Sequence, residues 1–185
     1  VTLDAASQDD LDTMLEQMAE LVLDAGAMDV LVADTPAKIK DAWAARSSFL
    51  EAIMHETKLL DECDVVVPVN KVADYLDFVN KTGEDCGLVI KSFGHAGDGN
   101  LHIYQCSNDL EEEEFKSRVD KFFEIIYKEA ASCGGLVSGE HGIGSGKIKY
   151  LVDSVGETNM ALMEGIKRVF DPKMILNPGK VCYRL

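Results

Sequence analysis

Three of the four histidines fall in two glycine-rich stretches, Gly94-His95-Ala96-Gly97-Asp98-Gly99-Asn100-Leu101-His102 and Ser138-Gly139-Glu140-His141-Gly142-Ile143-Gly144. Glycine at this density suits tight turns and close backbone approach rather than helix or strand, so regular structure is given up where a site would need it. Imidazole is the commonest nitrogen ligand of metal ions, and carboxylate is a hard oxygen ligand. His95, His102 and Glu140 therefore compose a two-histidine, one-carboxylate set suited to a divalent ion with open positions, and His141 is left for proton transfer. The residues alone leave a second reading open, in which the histidines only fix turns. Neither stretch is a phosphate cradle: the first reads G-x-x-G-x-G, and Ile148 stands after Lys147 where a P-loop needs Ser or Thr.

The elements that must carry these residues follow from spacing. Ser7 is a fitting N-cap for a helix bearing Leu11, Met14, Leu15, Met18 and Val22, closed by Gly26. Asp29 to Ala33 reads as a short β-branched strand, and a helix from Thr35-Pro36 through Trp43 and Arg46 towards His55 follows. Asp64 to Pro68 is a strand stopped by proline, and Asn70 is placed to cap a helix carrying Val72, Tyr75, Leu76 and Val79. Gly87 to Phe93 and Leu101 to Tyr104 are strands on either side of the first histidine stretch. Glu111 to Glu114 open a long helix with Phe115, Val119, Phe122, Ile126 and Ala130 on one face, and short helices are expected over about 147–153 and 157–169. The connection from Phe93 to Leu101 is too short for a parallel crossover, which needs about a dozen residues. The expected fold is thus α+β, a mostly antiparallel sheet with helices packed on one face, in a single domain over 1–185.

Composition excludes several function classes. The 185 residues carry 33 acidic side chains against 18 Lys and Arg, a formal charge of −15, and the basic residues are scattered, so a phosphate-neutralising nucleic-acid surface is not expected. No stretch reaches the roughly 20 apolar residues of a membrane span, and no signal peptide is legible. Five cysteines without a CxxC pair read as reduced and mostly buried, which points to the cytosol. None lies in an electropositive setting, and Cys63 between Glu62 and Asp64 is a poor thiolate site. Val1 in place of Met, inside an apolar run, reads as the start of a piece of something longer.

GHAGDGNLH, SGEHGIG, the pair Trp43-x-x-Arg46, DVVVP at 64–68 and FDPKMILNPGK at 170–180 together resemble the C-terminal domain of FAD-linked oxidases of the vanillyl-alcohol oxidase superfamily. The branch is that of D-lactate dehydrogenase, the glycolate oxidase FAD subunit and D-2-hydroxyglutarate dehydrogenase. The resemblance implies a ferredoxin-like fold and a flavin-dependent oxidation of a small 2-hydroxy acid. It implies FAD held mainly by a domain preceding Val1, so that this chain alone would not turn over. It further implies Zn, Fe or Mn on His95, His102 and Glu140, with His141 as general base and Arg46 clamping the substrate carboxylate. An electron-transfer flavoprotein, a quinone or another acceptor subunit would take the electrons.

Some positions depart from the pattern. Where relatives acting on a dicarboxylate carry a Thr and a Lys, this chain has Leu50 and Glu62, which favours a monocarboxylate such as lactate or glycolate. Asp98 is expected in the turn and Asn100 behind the metal ligands. Lys147 and Lys180 are read as solvated, His55 as structural and Trp43 as a packing residue. Two other readings stand beside this one: a metal-dependent hydrolase using the same ligands, and a non-catalytic dimerisation or docking module.

Overall fold

The computed structural model describes residues 1–182. They group into two compact units, residues 1–50 and the residues from Glu51 onward. In the first unit, helix α1 (Gln8–Asp24) begins at Ser7, whose hydroxyl accepts the Asp10 amide at 3.2 Å. Helix α2 (Pro36–Ser47) begins at Thr35, whose hydroxyl accepts the Lys38 amide at 3.3 Å. The helix does not continue unbroken to His55. Ser48 turns its hydroxyl back onto the Ala44 and Ala45 carbonyls at 3.1 and 2.9 Å, and a separate helix α3 (Phe49–Glu56) follows.

The strand expected at 29–33 does not form. A strand exists only as part of a ladder, and among the described residues this run pairs with nothing; Leu31 is 90% exposed. Neither α1 nor α2 buries a side chain, so Trp43 is 59% exposed rather than packed in a core.

The second unit is built on a three-stranded antiparallel sheet. Strand β1 (Leu59–Val66) starts five residues before the expected Asp64. Pro68 ends it, and a 3-10 turn over Val69–Lys71 leads into helix α4 (Val72–Cys86). Asn70 lies in that turn and is not the cap, because the Lys71 amide already closes onto the Pro68 carbonyl at 2.7 Å. Strands β2 (Val89–His95) and β3 (Asn100–Ser107) form the expected hairpin, and the sheet order is β1-β3-β2. Helix α5 (Glu112–Ser132) buries all five residues of its expected face. Helix α6 (Ile148–Phe170) joins the two expected helices across a break at Gly156, where φ is 75° and ψ is 165°.

Strand periodicity divides the sheet between a core and a site. Cys63 and Val65 of β1 and Leu101 and Ile103 of β3 turn to one face, joining Val79 of α4 and Phe122 and Ile126 of α5 in the main core. The alternate residues Glu62, Asp64, His102 and Tyr104 belong to the other face, where Ile53 of α3 packs with Tyr104 and Cys106. With both faces covered, β3 is buried along its whole length. Phe122 is fully buried, and Phe122→Ala is expected to cost about 3–5 kcal/mol through lost transfer energy and the cavity left, measured by urea unfolding.

After α5 the chain returns to the free edge of β1. Val66 and Leu136 exchange both backbone hydrogen bonds, at 3.2 and 2.9 Å, in an isolated antiparallel bridge. This is the position of the fourth strand in a β-α-β-β-α-β fold, shortened to one residue pair. The α+β, ferredoxin-like class holds, and the shortened strand delivers the second histidine stretch directly beside β1.

Candidate functional site

Sheet register brings the two histidine stretches together. His102 sits on the central strand directly opposite Asp64 of β1 and Phe93 of β2. Its ring lies 5.5 Å from that of Phe93, which packs against it. His95 is at the end of β2, paired with Asn100 across the turn, with its ring 6.1 Å from that of His102. Asp98 accepts the Asn100 amide at 3.1 Å and closes this turn, as expected for Asp at that place.

The loop after Leu136 hangs on one carboxylate. Asp64 is wholly buried, and its Oδ2 accepts the amides of Gly139, Glu140 and His141 at 2.7, 2.8 and 3.0 Å. Ser138 donates its hydroxyl to the same carboxylate and accepts the Gly142 amide at 2.9 Å, while the Lys147 ammonium pairs with Oδ1. Three successive amides form a nest around the anion. Burial pushes the Asp64 carboxyl up, but the Lys147 ammonium and the His141 and Glu140 amides outweigh it and hold it well below the usual carboxylate range. Lys147 is accordingly not a solvated helix-start lysine: its side chain is 16% exposed and serves this loop. Asn100 is buried beneath the loop, where a Cβ on Gly139 would stand 2.2 Å from its Oδ1, so the close approach requires glycine at 139.

So placed, Glu140 points Oε1 to within 3.0 Å of His102 Nε2 and 3.6 Å of His141 Nε2. On the far side of the same rings Glu62 Oε1 lies 3.5 Å from His102 Nδ1 and 3.1 Å from His141 Nδ1. The two imidazoles lie side by side, centroids 4.7 Å apart. His95, His102 and Glu140 each offer a ligand atom within 4.8 Å of the others. Two donors about 2.1 Å from one ion stand at most about 4.2 Å apart, so this set could hold a single divalent ion with a closing shift of roughly half an ångström or less. A buried His102 with a half-exposed Glu140 and an exposed His95 leaves such a position reachable from solvent.

Of the residues singled out from sequence, His95, His102, Glu140, His141 and Asn100 converge in the second unit. Arg46 lies on α2 and Leu50 at the start of α3, both in the first unit. His55 is exposed on α3 and Lys180 is exposed. Burial pushes the Cys63 thiol up to about 12, in keeping with an inert core cysteine, and all five cysteines are free. Two residues of the site were not recognised as such, Asp64 and Lys147, which hold the loop; Glu62, read from sequence as a substrate-side acid, faces both imidazoles. The available signal was the pair of acids at 62 and 64 in a strand otherwise mostly apolar, since a carboxylate within a buried strand needs a partner.

A split β-α-β sheet with three imidazoles and a carboxylate gathered near one strand end places the chain in the class of α+β domains. Residues 1–181 match the model of the family described as FAD linked oxidases, C-terminal domain, and the chain belongs to that family. A D-lactate dehydrogenase of Anaerostipes hadrus is 58% identical over all of this chain and 39% of its own length. Glycolate oxidase subunit GlcD of Bacillus subtilis is 33% identical over 90% of this chain and 35% of its own. The mitochondrial D-2-hydroxyglutarate dehydrogenase of Danio rerio is 31% identical over 90% of this chain and 30% of its own. The chain thus spans 30–39% of the length of these relatives. Among the described residues no helix is long and apolar enough to cross a membrane.

Proposed function

We propose that this chain is the substrate- and metal-binding part of a flavin-dependent D-2-hydroxyacid dehydrogenase of the D-lactate or glycolate type. The observation that carries the reading is the convergence of His95, His102 and Glu140 within ligand distance of one another, beside His141. A divalent ion (Zn, Fe or Mn) on these three side chains supplies Lewis acidity toward the hydroxyl and carboxylate oxygens of a 2-hydroxy acid, and FAD, held mainly by the family's other domain, supplies the hydride acceptor.

The chain's own residues divide the remaining work. His102, buried and backed by Phe93, is a fixed ligand. His141 is 42% exposed at its side chain, so its Nε2 can meet a substrate hydroxyl and take the proton. Asp64 and Lys147 keep Glu140 and His141 in register with His102. Arg46 supplies a planar fork for the substrate carboxylate. Glu62, next to the imidazoles, sets a negative charge where a second substrate carboxylate would be repelled, which favours a monocarboxylate over 2-hydroxyglutarate. Electrons then pass to an electron-transfer flavoprotein or another acceptor subunit. Five free cysteines, four of them buried, suit a cytoplasmic setting.

Elemental mass spectrometry of the purified chain tests the ligand set. About one ion per chain is expected, lost in Glu140→Ala and in a His95→Ala, His102→Ala double variant; an ion retained in all of them would refute it. Anaerobic flavin reduction by the protein with its flavin domain tests the substrate class, with D-lactate or glycolate expected to outpace D-2-hydroxyglutarate.

A further inference from the structure

Helix α6 is apolar on two sides. After its break at Gly156, Met160 is buried and Met163 half-buried against the main core. Leu162, Ile166, Val169 and Phe170 follow a second stripe, at i, i+4, i+7 and i+8, and all four are exposed, Phe170 by 81%. Ile175 and Leu176 add to it from the loop that follows. Single exposed apolar residues are ordinary, whereas a periodic stripe continued by its neighbouring loop marks a surface that is covered in use.

The loop is built to hold its shape. Asp171, buried at the end of α6, accepts the amides of Ile175 and Leu176 at 3.1 and 2.9 Å and pairs with Lys167 at 2.9 Å. Lys167 also donates to the Leu176 carbonyl at 2.8 Å, which brings Leu176 beside the last turn of the helix. Met174 and Asn177 hold φ of 51° and 45°, a left-handed conformation that residues other than glycine adopt at a cost. At the far end the Val181 amide donates to the Gly144 carbonyl at 2.8 Å, and Cys182 is buried in the core. Buried polar groups thus hold apolar ones outward, on a loop tied to the stretch that carries Glu140 and His141.

We propose that this stripe, with Ile175 and Leu176, is the surface on which the flavin-holding domain of the longer protein docks. The inference rests on the flavin-dependent reading above and deepens it by naming the surface. Two observations select this occupant. The tie at Gly144 joins the patch to the loop of Glu140 and His141, and hydride transfer requires the flavin to reach a substrate held there. This chain also matches only 39% of the length of its 58% identical relative, so that relative carries a larger part able to cover the patch. Charge argues against other occupants. Lys173 and Lys180 are exposed on the same loop, so a second copy docked face to face would oppose like charges. An anionic lipid surface would repel a chain of net charge −15.

Hydroxyl-radical footprinting tests this on the unaltered protein. Oxidation of Ile166 and Phe170 is expected to be about tenfold slower in the protein with its flavin domain than in this chain by itself, because an interface core is closed to solvent. The double variant Ile166→Asp, Phe170→Asp sets two carboxylates on the surface. Its flavin reduction by D-lactate is expected to slow about 10–100-fold, with metal content unchanged. Circular dichroism confirms folding; should the variant not fold, the footprint of the parent decides. Equal oxidation in the two proteins, or flavin reduction within about twofold of the parent in a folded variant, would overturn the proposal. So would oxidation in this chain that falls as its concentration rises, with a dimer in analytical ultracentrifugation, which assigns the face to a second copy. Binding to phosphatidylserine vesicles that the variant loses would overturn it in favour of a membrane. The footprint needs neither metal nor hydroxy acid, so failure of the flavin-dependent reading, seen as no flavin reduction by any 2-hydroxy acid, is told apart from failure of this one.

Discussion

Asp64→Asn is expected to destabilise the protein by about 3–5 kcal/mol and to abolish ordered binding at Glu140 and His141, although Asp64 itself touches neither ion nor substrate. The two side chains have nearly the same shape, so the effect isolates charge and hydrogen bonding. The Asp64 carboxylate accepts from three consecutive amides and a hydroxyl and pairs with Lys147, all without solvent. An Asn amide presents one oxygen and turns an NH₂ donor toward groups that are themselves donors. Removing one member of a buried ion pair leaves the other charge uncompensated, and that dominates the cost. Urea unfolding measures the loss, and Zn²⁺ titration measures the site. A change under about 1 kcal/mol would show that the loop does not depend on this anchor.

The pH dependence has the sign that a depressed carboxyl requires. Asp64 titrates lower in the folded protein than in the unfolded chain. Its contribution is therefore full well above the unfolded value near 3.9 and is lost progressively as pH falls through that value toward the lower folded one. Acid unfolding should be shifted and shallower in Asp64→Asn, because that variant has already lost the group.

His141→Gln carries the largest expected effect on turnover. In the proposed reaction kcat falls by about 10²–10⁴, the usual contribution of a positioned general base, while KM and metal content stay near those of the parent. The separation follows from the proposed roles: with His95, His102 and Glu140 as ligands His141 holds no ion, and its backbone amide stays on Asp64 whatever the side chain. Stopped-flow reduction of the flavin in the protein with its flavin domain, beside elemental analysis, checks both halves. A kcat within fivefold of the parent would move the proton-accepting role away from His141.

Much of this architecture was legible before any coordinates. The hairpin across the first histidine stretch followed from the shortness of the Phe93 to Leu101 connection, and the buried face of α5 from its periodicity. The ligand trio was named from residue chemistry and the family resemblance, and the fold brings its members within reach of each other. Local chemistry misled in three places. Val30 to Val32 have strand-forming side chains but no partner ladder, Asn70 lost the capping position to a proline-led turn, and the helix expected to reach His55 was cut by Ser48. Each is a case where a tertiary or neighbouring backbone contact outweighs a residue's own preference.

Sequence by itself determined what does not depend on long-range register: the helix starts at Ser7 and Thr35, the antiparallel hairpin, the net acidic charge, and the side-chain types available for chemistry. Only the tertiary structure decided which acid does what. Glu62 and Asp64 are two residues apart and share one strand face, yet one is turned to the imidazole edges and the other is enclosed by the loop amides. That difference arises because Leu136 pairs with Val66, seventy positions earlier, and so lays Ser138 to His141 across β1. Periodicity places a side chain on a face; the partner that arrives at that face is set by a pairing remote in sequence, which no local pattern encodes.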